Sequence, residues 1–178
     1  WQAEMGTFLT ETLGSTVRIV EDVSTGFPDD LDSPGPTLVA TATLAAVSAW
    51  FGLTLEETAR RFRTNVVISA DEAFTEDRWL GPEGAVQIVR IGDVPLIAVN
   101  PCQRCVVPTR DSRTGDVLTG FQKAFAERRE SSLPEGVDRK RFTHYYRLAI
   151  NTRPVAGFAG GEVALGDELC SVSWNSGL

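Results

Sequence analysis

Val86-Gln-Ile-Val-Arg-Ile-Gly-Asp-Val-Pro-Leu-Ile-Ala-Val-Asn100 reads as two strands folded back on each other. Both arms are rich in Val, Ile and Leu, which suit a pleated, half-buried surface. Gly92-Asp93 divides them, and glycine accepts the positive φ that a two-residue hairpin loop demands at its first central position. The spacing therefore predicts an antiparallel hairpin with strands over 86–91 and 95–99. A second pair, Gly166-Asp167, predicts another hairpin between strands over 162–165 and 168–172. Further strands are expected over 16–20, 65–69, 105–109 and 145–151. Successive hairpins build antiparallel neighbours and argue against a doubly wound parallel sheet.

Helical signals are fewer. Phe8, Leu9 and Leu13 share one face of a short amphipathic segment that stops at Gly14, expected to act as a lid on the core. Leu44, Val47 and Phe51 recur at helical spacing and end at Gly52. Thr54-Leu-Glu-Glu57 has the form of a capping box, in which hydroxyl and carboxylate each satisfy the other's exposed amide, so a helix over 55–61 follows. A last helix is expected over 121–130. The segment from Gly26 to Pro36, dense in Gly, Pro and Asp, is a long irregular loop, either functional or an idle surface excursion. The reading is a mainly β, α+β fold: a curled antiparallel sheet or barrel with a few packed helices.

Composition narrows the function. The chain has 178 residues, 42% hydrophobic and 23% charged, enough for one substantial core. Its net charge of −7, without a basic run, opposes the phosphates that dominate nucleic-acid affinity. No stretch approaches the run of about 20 apolar residues that a spanning helix needs. Three cysteines cannot pair completely, which favours a reducing cytoplasm. Neither nucleic acid nor a membrane is expected as a partner.

Pro101-Cys-Gln-Arg-Cys105 carries the most chemistry, and four readings of its two cysteines stay open. A structural zinc site needs four ligands, and beyond this pair only the remote Cys170 and His144 remain. A redox pair belongs at a helix start, where amide dipoles stabilise the thiolate, yet Cys105 leads into Val-Val-Pro-Thr109. A third reading makes both small buried hydrophobes, a common place for cysteine. The fourth reading makes Cys105 a lone thiolate ligand, with Arg104 favouring the ionised sulfur and a soft metal preferring it.

Arg61-Phe-Arg-Thr-Asn65 is a second constellation: if extended, it turns Arg61, Arg63 and Asn65 to one face, a fork for a phosphate or heterocycle, although such arginines are ordinarily solvated surface. Glu76-Asp-Arg-Trp79 reads better as a turn with an internal ion pair than as an acid/base pair. His144 has no nucleophile near it in sequence. Arg110-Asp-Ser-Arg-Thr-Gly-Asp116 is a loop that either borders the site facing Cys105 or lies idle on the surface.

The order of these segments resembles the MOSC family, named for the C-terminal domain of molybdenum cofactor sulfurase. The resemblance rests on Leu38 to Leu44, Arg61-Phe-Arg-Thr-Asn-Val-Val-Ile-Ser69, Phe74-Thr-Glu-Asp-Arg-Trp79 and Ile91-Gly-Asp93. It continues through Cys102-Gln-Arg-Cys-Val-Val-Pro-Thr-Arg-Asp-Ser-Arg-Thr-Gly115 to Gly161-Glu-Val-Ala-Leu-Gly-Asp-Glu168. The resemblance implies that Cys105 binds molybdenum of the molybdenum cofactor (Mo-molybdopterin) and that Cys102 does not. It implies contacts from Arg61, Arg63 and Asn65 to the pterin and its phosphate, with Gln103 and Arg104 lining the cofactor. Thr64 stands where the family often has proline, and Pro108-Thr109 where it often has Thr-Thr.

The activity implied is reduction of N-hydroxylated small molecules, with a separate reductase or fused redox domain as electron donor, since no Gly-x-Gly-x-x-Gly fingerprint follows a predicted strand. A carrier of the cofactor or of cysteine-bound sulfur is the alternative, and a cofactor-free domain with Cys105 as a plain core thiol is the third reading. Residues 1–178 are expected to form one domain, a fragment or a form without the N-terminal β-rich domain of many relatives.

Overall fold

A computed structural model describes residues 1–22, 30–158 and 160–173. It separates into two compact units, Trp1–Leu31 and the remainder from Asp32. In the first unit, helix α1 (Gln2–Leu13) ends at Gly14 in the left-handed conformation. None of its residues is buried. The strand predicted over 16–20 is absent: no strand pairs with the segment, and the Val17 amide donates to Thr10 Oγ1 instead.

The second unit is built on one six-stranded sheet, ordered β2-β1-β5-β4-β3-β6, curled into a nearly closed barrel. Its strands are β1 (Leu38–Ala40), β2 (Val66–Ile68), β3 (Gln87–Ile91), β4 (Val94–Gln103), β5 (Arg147–Pro154) and β6 (Leu169–Ser173). The quoted hairpin forms as predicted, Ile91 pairing with Val94 across Gly92 at φ 55°. All pairings are antiparallel except β1 with β2, which lie parallel and make the sheet mixed. That parallel pair is possible because helices α2 (Thr41–Phe51) and α3 (Leu55–Phe62) form the crossover between them.

Two further predicted strands fail, both in this unit. Residues 162–165 form no strand; Gly166 makes a turn, and β6 pairs with β3 instead. Residues 105–109 are not extended either. Cys105 lies in a loop, followed by a 3-10 turn at Val107–Thr109 in which the Thr109 amide and hydroxyl both donate to Val106 O. Pro108 has no N–H to give a ladder, and Val106 and Val107 remain exposed, so the apolar run is not a buried strand.

Two apolar clusters hold this unit together. One joins β1, α2, α3 and helix α4 (Phe121–Ser131) to β5 through Val39, Val47, Phe62, Phe125 and Leu148. Phe125 is fully buried and meets Tyr146 edge-on at 5.4 Å. The other fills the space among β1, β3, β4 and β5 with Leu38, Val89, Ile91, Leu96 and Ile150. Of the long loop, 26–29 lie outside the described residues; its end is fixed, the Gly35 amide donating to Thr152 O at 2.8 Å. A Cβ at Gly35 would come within 2.9 Å of that backbone, so only glycine fits.

Candidate functional site

Cys102 and Cys105 sit at the end of β4, and irregular pairing with β5 decides where they point. Between Ala98 and Asn100 the register slips by an extra residue on β4; between Pro101 and Gln103 it slips the other way, on β5. Such bulges bend a strand and re-aim its side chains. Ala149, in the second bulge, takes φ 72°, a left-handed value that costs an alanine energy and marks local strain. Arginines satisfy the carbonyls that the bulges expose: Arg141 donates to Val99 O, and Arg147 Nη1 to Pro101 O at 2.6 Å.

Beyond the second bulge the ladder closes with Gln103 opposite Arg147 and the Arg104 amide donating to Tyr146 O at 3.2 Å. Cys105 then emerges exposed, while Cys102 is buried among Phe62, Phe125 and Tyr146. Arg104 ties the two environments together. Its Nη1 donates to Cys102 Sγ at 2.9 Å, its Nη2 to Phe62 O, and its guanidinium lies 5.7 Å from the Phe62 ring centroid. The cation expected beside the cysteines is present, but its hydrogen bond goes to the buried sulfur. Gln103 is exposed at the strand end.

The Arg61 fork is not one face. Arg61 and Phe62 end α3, and Arg63 caps it at φ 49°, so the extended alternation that would align Arg61, Arg63 and Asn65 does not exist. Arg61 is buried: its Nε donates to Glu57 Oε1 at 2.6 Å, with Asp111 Oδ2 at 3.4 Å and Pro108 O at 3.5 Å. Arg63 is exposed. Asn65 Oδ1 accepts from both the amide and the hydroxyl of Thr37 at 2.9 Å, a clasp that sets β1 beside β2.

The loop 110–116 is held against α3. The Thr54 hydroxyl caps α3 by accepting from the Glu57 amide, but the Glu57 carboxylate does not return the bond. It accepts instead from Arg61 and from the amide and hydroxyl of Ser112. Burial alone would push the Glu57 carboxyl up; the Ser112 and Arg61 contacts hold it below its ordinary value. The loop is thus a fixed structure that begins five residues after Cys105.

The 3-10 turn at Thr75–Trp79 forms, yet its ion pair is not internal. Arg78 turns out to Glu72, while Asp77 pairs with Arg129 of α4, both buried. Arg129 is further held 4.4 Å from the Phe74 ring centroid and donates to Arg147 O. Glu76, also buried, accepts from Thr43 Oγ1 at 2.9 Å, and burial pushes its carboxyl up to about 7. His144 Nδ1 accepts from the Tyr146 amide at 3.2 Å; burial and then Arg147 hold the imidazole below its ordinary value, so it serves as a neutral acceptor.

Tyr146 and Arg147 were not singled out in the sequence. Tyr146 is 3% exposed and its hydroxyl has no partner; the Nε atoms of Arg104 and Arg147 are likewise buried and unpartnered. Burial, then the charge of Cys105, push the phenol up to about 12, with Arg104 opposing, so it remains a protonated donor. Among the described residues no three His, Cys, Asp or Glu side chains converge as a metal cage. A metal that arrives carrying its own ligands needs only one protein sulfur, and the exposed Cys105 fits that requirement.

The MOSC domain model matches residues 37–169, most of the chain and nearly all of the second unit. The chain belongs to the MOSC domain family. Over 55 residues, 31% of this chain, it is 44% identical to mitochondrial amidoxime-reducing component 1 of Danio rerio. Over 77 residues, 43% of this chain, it is 30% identical to molybdenum cofactor sulfurase of Bos taurus. Over 54 residues it is 44% identical to mitochondrial amidoxime reducing component 2 of Rattus norvegicus. These matched segments span only 15%, 8% and 14% of the respective relatives' own length.

Proposed function

We propose that this MOSC domain holds the molybdenum cofactor, with Cys105 as the protein's thiolate ligand, and reduces N-hydroxylated small molecules. The observation that carries the reading is the position of Cys105: exposed just beyond a doubly bulged strand, one residue after Arg104, whose amide pairs with Tyr146 O. When bound, the cofactor supplies two-electron oxygen-atom chemistry. The chain's own part is to bind, orient and shield. Cys105 supplies one soft sulfur; Arg63 and Gln103, both exposed, are free to meet phosphate and pterin. Arg61 is committed to Glu57 and Asp111, so its role is to fix α3 and the loop 110–116 that frame the site. Asn65 keeps only its amide nitrogen for a ligand, its oxygen being taken by Thr37.

The three cysteines are free thiols, which suits a reducing cytoplasm, and no described helix is long and apolar enough to cross a membrane. Electrons would come from a separate reductase or a fused redox domain. The similarity to the sulfurase favours a second reading, a carrier of cofactor or sulfur on the same cysteine. Turnover of an N-hydroxylated amidine with an artificial electron donor separates the two. Reduction to the amidine by the loaded protein supports the enzyme; a loaded but silent protein supports the carrier.

A further inference from the structure

The corner where β4 ends and β5 begins contains more hydrogen-bond donors than the fold uses. Arg104 Nε, Arg147 Nε and Tyr146 Oη are all buried without a partner, on three residues joined by the Gln103–Arg147 pairing and the Arg104 amide bond to Tyr146 O. The remaining nitrogens of both arginines are well used: those of Arg104 by Cys102 and Phe62, those of Arg147 by Pro101 and Thr143. Burying a donor unpaired is costly, so a cluster of such donors implies an acceptor that arrives from outside. A phenol is suited to meet it, because it can donate without adding charge to the site. The Tyr146 carbonyl accepts from the Arg104 amide at 3.2 Å, which ties its residue to the chain one step before Cys105.

We propose that Tyr146 is a positioning residue whose hydroxyl donates a hydrogen bond to an acceptor atom of the ligand that Cys105 holds. This rests on the cofactor reading above and adds to it a residue outside both sequence motifs. The ligand class is anionic and acceptor-rich, either an oxygen or a sulfur beside the metal.

The test compares wild type with Tyr146→Phe, both purified from cells that make the molybdenum cofactor. In metal-free protein the variant should melt no lower than wild type, because it removes a buried hydroxyl that the fold leaves unpaired. In loaded protein the variant should lose molybdenum about tenfold faster on dilution, the value of one hydrogen bond to a charged acceptor. The paramagnetic signature of the metal should also shift. A lowered melting temperature without metal reveals a hydroxyl already partnered in the fold and overturns the proposal. So does a loaded variant with unchanged retention and signature, even where wild type holds metal through Cys105. Wild-type protein that takes up no molybdenum overturns the cofactor reading, and this proposal with it.

Discussion

Glu76 shows how far one buried side chain can depart from what its neighbours in sequence suggest. Flanked by Asp77 and Arg78, it looks like half of a surface ion pair, yet it is 1% exposed and bonded to Thr43. Its folded pKa, about 7, lies above the ordinary value of 4.5 because burial penalises the charged form. A carboxyl raised in this way contributes stability that is complete below the unfolded value and is lost as pH rises through the folded one. Unfolding free energy should therefore fall by up to about 1.4 kcal/mol per pH unit between roughly pH 4.5 and 7 from this group. Glu76→Gln should flatten that slope, which denaturant titrations at several pH values would detect; an unchanged slope would show Glu76 ionised in the fold. Arg61 teaches the converse lesson. Its place in an Arg-x-Arg pair suggested a ligand contact, but its burial depends on α3 meeting the loop 110–116, which no local pattern encodes.

At the scale of elements, the α3–loop junction and the β4–β5 bulges hold the site. Replacing Arg61 with Leu would leave Glu57 without the buried cation 2.6 Å away and should cost about 2 kcal/mol, less than breaking a fully buried pair because Glu57 keeps some solvent. Amide hydrogen exchange at Ser112 to Thr114 should accelerate more than exchange in β3, and uniform acceleration would deny the loop's dependence on Arg61. Ala149 tests the bulge. A β-branched residue at φ 72° is sterically opposed, so Ala149→Val should cost about 2–3 kcal/mol, whereas Ala149→Gly exchanges a lost methyl for relieved strain and should stay within about 1 kcal/mol. Equal costs would mean that the backbone there is not strained.

Elements whose stability is local were legible in the sequence: α2 by apolar spacing, α3 by its Thr54 cap, and the hairpin by Gly92. The strand expected over 105–109 was not, because β-branched residues favour extended backbone only where a partner strand or a buried face receives them. Val106 and Val107 have neither. The bulges were invisible for the same reason: they are set by register between strands some fifty residues apart.

Across the whole molecule, runs of β-branched residues and the Gly92-Asp93 hairpin were enough to specify a mainly β fold, although the pairing expected across Gly166-Asp167 does not form and β6 joins β3 instead. The parallel pairing of β1 with β2 was missed because it depends on how α2 and α3 carry the chain between them. Of the candidate site, Cys-x-Arg-Cys singled out Cys105 and Arg104 but left four readings of the cysteines open, and exposure became visible only in the fold. Tyr146 and Arg147, about forty residues onward, join them only through tertiary pairing. The account as a whole depends on the metal reaching Cys105. The most direct measurement is elemental analysis of molybdenum, with pterin quantified alongside, in wild-type, Cys105→Ser and Cys102→Ser proteins prepared from the same cofactor-producing cells. The account predicts metal and pterin together in wild type, metal lost from Cys105→Ser, and metal kept in Cys102→Ser; equal molybdenum in wild type and Cys105→Ser would contradict it.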